Sequence, residues 1–327
     1  MMCLIFFEVI SLKKLQIKET ELTFSEACEM YLDDCKNRNL REGTIKHYKQ
    51  TYTQLFKFFN PDMLISDLNQ NMYNNYILYL QEHLDNDISI NSYLRDLITT
   101  LHFLMNKGEI KPFKMKTIRA DKSAVETYSD EELKVLLQKP NMKKCTFLEY
   151  ESWVISCLLF SCGIRQHSLM ELKIKDIDTD NYLLNVRVTK SRKPLLIPVN
   201  QSMISILKEF LRQRQPKNKD DWLFCNAFGQ KLLKSTCYNM LSRYNKSRGI
   251  QTTGLHRYRH TFAKQWILNG GNVVTLSRIL GHSSLSITQN YINLLVSDVA
   301  KQVDEINLLD KFSNEQKYLK IKRGKNK

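Results

Sequence analysis

Gly254-Leu255-His256-Arg257-Tyr258-Arg259-His260-Thr261-Phe262-Ala263, followed by Ile279-Leu280-Gly281-His282 and by Tyr291 nine residues further on, decides how this chain is read. His256 and Arg259 stand three apart, so on a helix they share one face. A histidine and an arginine on one face can meet a phosphate oxygen together, the arginine as a planar fork of donors. Gly281 reads as a helix stop, because the left-handed position after a helix prefers glycine. His282 then falls in a turn, and Ser283 or Ser284 can cap a following helix that carries Tyr291. A phenol, imidazoles and a guanidinium in one stretch are the equipment for nucleophilic attack on a phosphodiester.

Two segments upstream extend the pattern. Ser161-Cys162-Gly163-Ile164-Arg165 precedes Leu169, Leu172 and Asp176-Ile177-Asp178. Val188-Thr189-Lys190-Ser191-Arg192-Lys193 precedes Ile197-Pro198-Val199. Read in order with His-x-x-Arg, Leu-Gly-His and Tyr291, these segments resemble the tyrosine recombinases, the phage-integrase and Xer-like family. The resemblance covers the C-terminal two-thirds of the chain. It implies six catalytic residues: Arg165, Lys190, His256, Arg259, His282 and Tyr291. Lys190 is preferred over Lys193 because Pro198 lies eight residues after it. Many relatives carry an acidic residue three positions after the first arginine; here that position is Ser168. His167 and His260 are read as structural. Arg165 follows directly on an apolar run, and from the residues alone a salt bridge to Asp176 or Asp178 is the rival role.

Composition agrees with a nucleic-acid partner. The 327 residues are enough for two domains, and 43% are hydrophobic, enough for real cores. The formal net charge of +15 points to a polyanion. The eight cysteines are scattered, without Cys-x-x-Cys or a Cys/His cluster. They read as core residues in a reducing cytosol, with no metal or cofactor implied. The apolar start Met1–Ile10 is far shorter than the ~20 residues of a membrane span.

The expected fold is mainly helical. Thr23-Phe24-Ser25-Glu26 fits a capping box, with helices predicted from there, over about 44–59, 70–83 and 90–106. Four such helices make a small bundle, which the resemblance equates with a core-binding, SAM-like domain over residues 23–109. Residues 110–127 lose helical periodicity and crowd lysines, and read as an exposed basic linker. A mostly helical catalytic domain with a small antiparallel sheet is expected over 128–310. It would open at the capping box of Ser129, hold a buried helix over 147–162, and form a hairpin within 181–199. Ser235 is the expected cap of a helix whose basic face carries Arg243, Lys246 and Arg248. A segment 1–22 precedes these domains, too short for an arm-site-binding domain, and a basic tail spans 311–327.

The resemblance implies metal-independent cutting and rejoining of DNA through a 3′-phosphotyrosyl link and a Holliday junction. Arg165 and Arg259 would stabilise the phosphate charge and His256 would serve as base. Lys190 would protonate the leaving oxygen, while His282 hydrogen-bonds the phosphate. The partners would be double-stranded DNA with inverted half-sites, and a homotetramer joined by exchange of an apolar C-terminal helix at Val299, Val303, Ile306 and Leu309. An accessory directionality protein is a further partner the family allows. The biological role stays open between element integration and multimer resolution. A non-catalytic DNA-binding regulator is the rival from another class. A two-metal nuclease would need converging carboxylates, and the adjacent pairs Asp33-Asp34 and Asp220-Asp221 do not face one way.

Overall fold

The computed structural model describes residues 22–121, 125–190 and 192–282, with 284, 285, 287, 288 and 291 beyond them. The chain divides between residues 123 and 124 into two compact units. The helix expected over 299–309, the basic tail and the apolar start lie outside the described residues.

The first unit is a four-helix bundle: α1 (Phe24–Asn37), α2 (Glu42–Leu55), α3 (Gln70–His83) and α4 (Asp87–Lys107). Thr23 and Glu26 close the capping box that starts α1. Phe24, Ala27, Cys28, Tyr31, Leu32 and Cys35 then form its buried stripe, as their spacing predicts. The core is aromatic: Phe24 meets Phe59 edge-on at 5.3 Å, and the Tyr31 hydroxyl donates to that of Tyr48 at 3.1 Å. Two expectations change here. α2 stops at Leu55, four residues early, yet Phe59 is still buried in the following turns. The stretch read as an exposed linker is a strap over the bundle from Ile110 to Ile118. Its lysines face solvent, while Phe113, Met115 and Ile118 pack against the core. The Asn91 amide clamps its end, donating to the Ile118 carbonyl and accepting from the Ile118 N–H, both at 2.9 Å.

The second unit is built around α6 (Phe147–Cys162). Its apolar residues run all round the helix, so it must be covered on every side. α8 (Gln201–Arg214), α9 (Lys234–Ser247) and α10 (Leu255–Leu268) supply that cover. Val154, Ile155, Leu158 and Leu159 are fully buried, each worth ~1.5–3 kcal/mol relative to exposure. Short helices α5 (Asp130–Leu136) and α7 (Gln166–Met170) flank it, and α11 (Val273–Leu280) packs on α10. The sheet is antiparallel, order β1-β2-β3, from Ile177–Asp178, Leu183–Val186 and Leu195–Pro198. Leu184 pairs with Ile197, both buried. Leu233, not Ser235, stands at the N-cap of α9, with no side-chain cap. Among the described residues no helix is long and apolar enough to cross a membrane.

Candidate active site

Helix ends in the second unit bring Arg165, Arg259, His282 and Tyr291 together. α6 stops at Gly163 in the left-handed conformation, and Arg165 follows as the N-cap of α7. Arg165 donates from Nη2 to the Gly281 carbonyl at 3.2 Å. The salt bridge considered from sequence is absent: Asp176 takes Arg187 at 2.6 Å, and Asp178 accepts from the Asn181 N–H. Partial burial pulls the Arg165 guanidinium below its ordinary basicity.

Arg259 is only 5% exposed. A buried guanidinium needs partners, and it finds them in two carbonyls, an imidazole and, beside them, the Tyr291 hydroxyl. Nη1 donates to the Gly163 carbonyl at 2.6 Å, while Nη2 donates to the Leu280 carbonyl at 2.8 Å and to His282 Nε2 at 2.9 Å. Burial, helped by Arg165, pushes it down to about 10, so it stays charged at neutral pH. Guanidinium only donates, so His282 Nε2 accepts. The His282 proton therefore sits on Nδ1, which donates to Thr288 Oγ1 at 2.8 Å. Burial, with the charges of Arg259 and Arg165, drives this imidazole down to about 4.

Tyr291 is 6% exposed, and its ring lies nearly parallel to that of His282 at 6.4 Å. Burial raises its phenol, while Arg259 and Arg165 work the other way. Its hydroxyl oxygen lies 2.9 Å from Nδ1 of His260. The sequence alone gives His260 a structural role, whereas in the structure it lies against the phenol. The signal was its place four residues after His256, one turn along the same helix face. His256 itself is exposed, its ring 6.4 Å from that of His260. Desolvation on its inner side, then Arg259, Lys234 and Arg165, bias it towards the neutral form. Arg257, between them in sequence, turns away to Glu126 at 3.0 Å.

Lys190 is exposed at the hairpin tip. The lysine that reaches the pocket over Arg165 and His282 is Lys193: the pocket holds about 440 Å³ and is lined also by Thr189, Pro194, Leu195 and Gly281. Ser168, where the family resemblance leads to the expectation of an acid, donates to the Val188 carbonyl at 2.8 Å and so braces the chain two residues before Lys190. Glu171 pairs with Lys231, and His167 lies 3.7 Å from the same carboxylate. On α9, Arg243 and Lys246 are exposed as expected. Arg248 is spent on the fold, donating to the Val135 and Gln138 carbonyls and lying over Tyr244. Asp33 pairs with Lys36, Asp34 with Arg38, and Asp220 with Lys173 and Lys175.

Residues 127–297, just over half the chain, match the model of the phage integrase family. The chain belongs to the phage integrase family. Residues 23–118 match the phage integrase SAM-like domain, so both units of this integrase have family counterparts. The enzyme type is therefore the tyrosine-type site-specific recombinase that the motifs implied. The tyrosine recombinase XerA of Pyrococcus furiosus is 29% identical over 200 residues, 60% of this chain and 67% of that protein. XerD of Listeria innocua is 24% identical over 280 residues, 81% and 93% of the two. The fold is shared with the Tn1549 transposon integrase in complex with transposon right end DNA (TM-score 0.72, 17% identity, 88% of this chain and 100% of that one). A lambda integrase dimer bound to a core site matches at TM-score 0.64 and 18% identity, over 81% and 97%.

Proposed function

We propose that this integrase binds double-stranded DNA at paired inverted half-sites and cuts and rejoins it through a 3′-phosphotyrosyl intermediate. The observation that carries the reading is a buried phenol, Tyr291, set beside two guanidinium groups, neither of which pairs with a carboxylate among the described residues. A phosphodiester repels nucleophiles because it is an anion, and attack increases the charge on its non-bridging oxygens. Arg165 and Arg259 put donors where that charge grows, in a partly water-excluded site where they act strongly. His282 is held by Arg259 and Thr288 in a fixed orientation beside the phosphate position. Tyr291 attacks phosphorus, His256 serves the proton traffic at the exposed side, and Lys190 protonates the leaving 5′ oxygen. The phosphotyrosyl link conserves bond energy, so a 5′-hydroxyl from a second strand can reverse it by way of a Holliday junction.

The Tn1549 and lambda integrases bound to DNA support the DNA partner by analogy. The first unit serves as the core-binding domain, and the lysines of its strap neutralise backbone phosphates. Four protomers assemble through the helix expected over 299–309. The biological outcome is integration and excision of an element or resolution of multimers. The test is a nicked suicide substrate carrying an inverted half-site pair. The wild-type protein should form a covalent adduct that survives denaturing gels, while Tyr291→Phe binds the same DNA and forms none. An adduct in that variant would end the assignment.

A further inference from the structure

We propose that His260 is the immediate acceptor of the Tyr291 proton, a catalytic base at the reacting oxygen itself; the inference rests on the reading of Tyr291 as nucleophile. Three observations carry it. The first is contact: His260 Nδ1 lies 2.9 Å from the Tyr291 hydroxyl, inside the ~2.6–3.2 Å that direct proton transfer requires. His256, by contrast, is exposed one turn earlier on α10, its ring centroid 6.4 Å from that of His260.

The second is the direction of the hydrogen bond. Burial, with His256 and Arg259 beside it, pushes the His260 imidazole down to about 4, so at neutral pH it carries one proton. The guanidinium of Arg259 also lies beside the phenol oxygen and can only donate. We therefore assign the phenolic O–H to Nδ1, with the imidazole proton on Nε2. The third is the setting. Tyr291 is nine-tenths buried, so bulk water has little access to its proton.

The charged groups around the pair fix when transfer occurs. His256 and Arg259 face His260 from its own helix, and Arg165 and Arg259 face Tyr291. His256 and Arg259 disfavour an imidazolium at His260. A DNA phosphate brings negative charge among these groups and makes the imidazole more basic. As the phenol oxygen bonds to phosphorus and the bond from phosphorus to the 5′ oxygen breaks, the phenolic proton passes to Nδ1. The 5′ oxygen takes its proton from the general acid assigned above to Lys190. In rejoining the steps reverse: the 5′-hydroxyl attacks, and the departing phenolate recovers its proton from His260.

His260→Asn separates a base from a mere prop, because its amide oxygen can accept the same hydrogen bond but cannot take a proton. Single-turnover cleavage of the nicked substrate is compared for wild type, His260→Asn and His260→Ala, with DNA binding measured alongside. His260→Asn should bind DNA normally, form adduct about 100-fold more slowly or worse, and gain rate with rising pH as hydroxide replaces the base. Added imidazole should speed His260→Ala. His260→Asn cleaving within about threefold of wild type, with the wild-type pH profile, would overturn the proposal while leaving Tyr291 as nucleophile. A wild-type protein that forms no adduct would instead remove the reading beneath it.

Discussion

Arg259 Nη1 donates to the Gly163 carbonyl at 2.6 Å, so one side chain both addresses the candidate phosphate position and pins the end of α6. Its other nitrogen holds the Leu280 carbonyl at the end of α11. Arg259→Ala would strand two buried carbonyls, each costing ~1–3 kcal/mol. The variant should lose ~2–4 kcal/mol in chemical denaturation as well as activity. Arg259→Lys should lose less stability, because an ammonium can satisfy one carbonyl, yet still lose cleavage for want of the fork. Equal stability of Arg259→Ala and wild type would show that the pin carries no weight.

Gly163 is the other half of that contact. Its φ is +60°, and an added Cβ would lie 2.6 Å from Phe262 Cδ1 and 2.8 Å from Leu280 Cδ2. Gly163→Ala therefore meets backbone strain and a packed wall together. A loss of ~2 kcal/mol or more is expected in thermal or urea unfolding, against ~1 kcal/mol from strain alone.

Much of this arrangement was legible in the sequence because local rules suffice for it. The capping boxes at Thr23 and Ser129, the strongly apolar run closed by Gly163, and the stop at Gly281 each announce an element without knowledge of its neighbours. What escaped depends on partners distant in the chain. The strap over 110–118 lacks helical period because Phe113, Met115 and Ile118 are extended along a bundle formed elsewhere. His260 looked spare because its partner lies 31 residues away. Arg248 looked like a DNA contact because the carbonyls of Val135 and Gln138 are more than a hundred residues upstream.

Ser168 stands where the family resemblance leads one to expect an acid, and its hydroxyl donates to the Val188 carbonyl. A carboxylate cannot make that donation. Ser168→Asp should thus fail to improve the enzyme. It sets an anion against a carbonyl in a 5% exposed position and should cost more stability than Ser168→Ala, which loses ~1 kcal/mol. Unfolding curves of both variants, read beside cleavage rates, check this; a Ser168→Asp protein faster and no less stable than wild type would refute it.

The second unit should weaken in acid. His260 and His282 are held near 4 in the fold against 6.5 when unfolded. The unfolded chain therefore binds more protons between those values, and the stability from the neutral imidazoles, complete above about 6.5, drains away as pH falls towards 4. Each unit of difference is ~1.4 kcal/mol. Glu151 acts oppositely: burial pushes it up to about 7, so its ionisation penalises the fold at neutral pH and fades as pH falls. Glu151→Gln should therefore raise the melting temperature near pH 7.5 relative to wild type and steepen the loss on acidification. His260→Asn should make the loss shallower. Melting temperatures of the three proteins from pH 7.5 to 5 test both signs.

Two lysines compete for the hairpin role, and chemistry can separate them. Both are exposed, but Lys193 lines the pocket with Arg165 and His282, whereas Lys190 stands at the tip, two residues beyond the Val188 carbonyl that Ser168 holds. A general acid matters only while the leaving oxygen needs a proton. A substrate with sulfur at the 5′-bridging position leaves as a thiolate and needs none. If Lys190 is the acid, Lys190→Ala should cut oxygen substrates about 10²–10⁴-fold more slowly and regain most of that loss on the sulfur substrate. Lys193→Ala removes a cation beside the phosphate without touching proton delivery. Its loss should be of similar size on both substrates and should shrink the salt dependence of binding. Sulfur rescue of Lys193→Ala but not of Lys190→Ala would exchange the two assignments, and the lysine already in the pocket would be the acid.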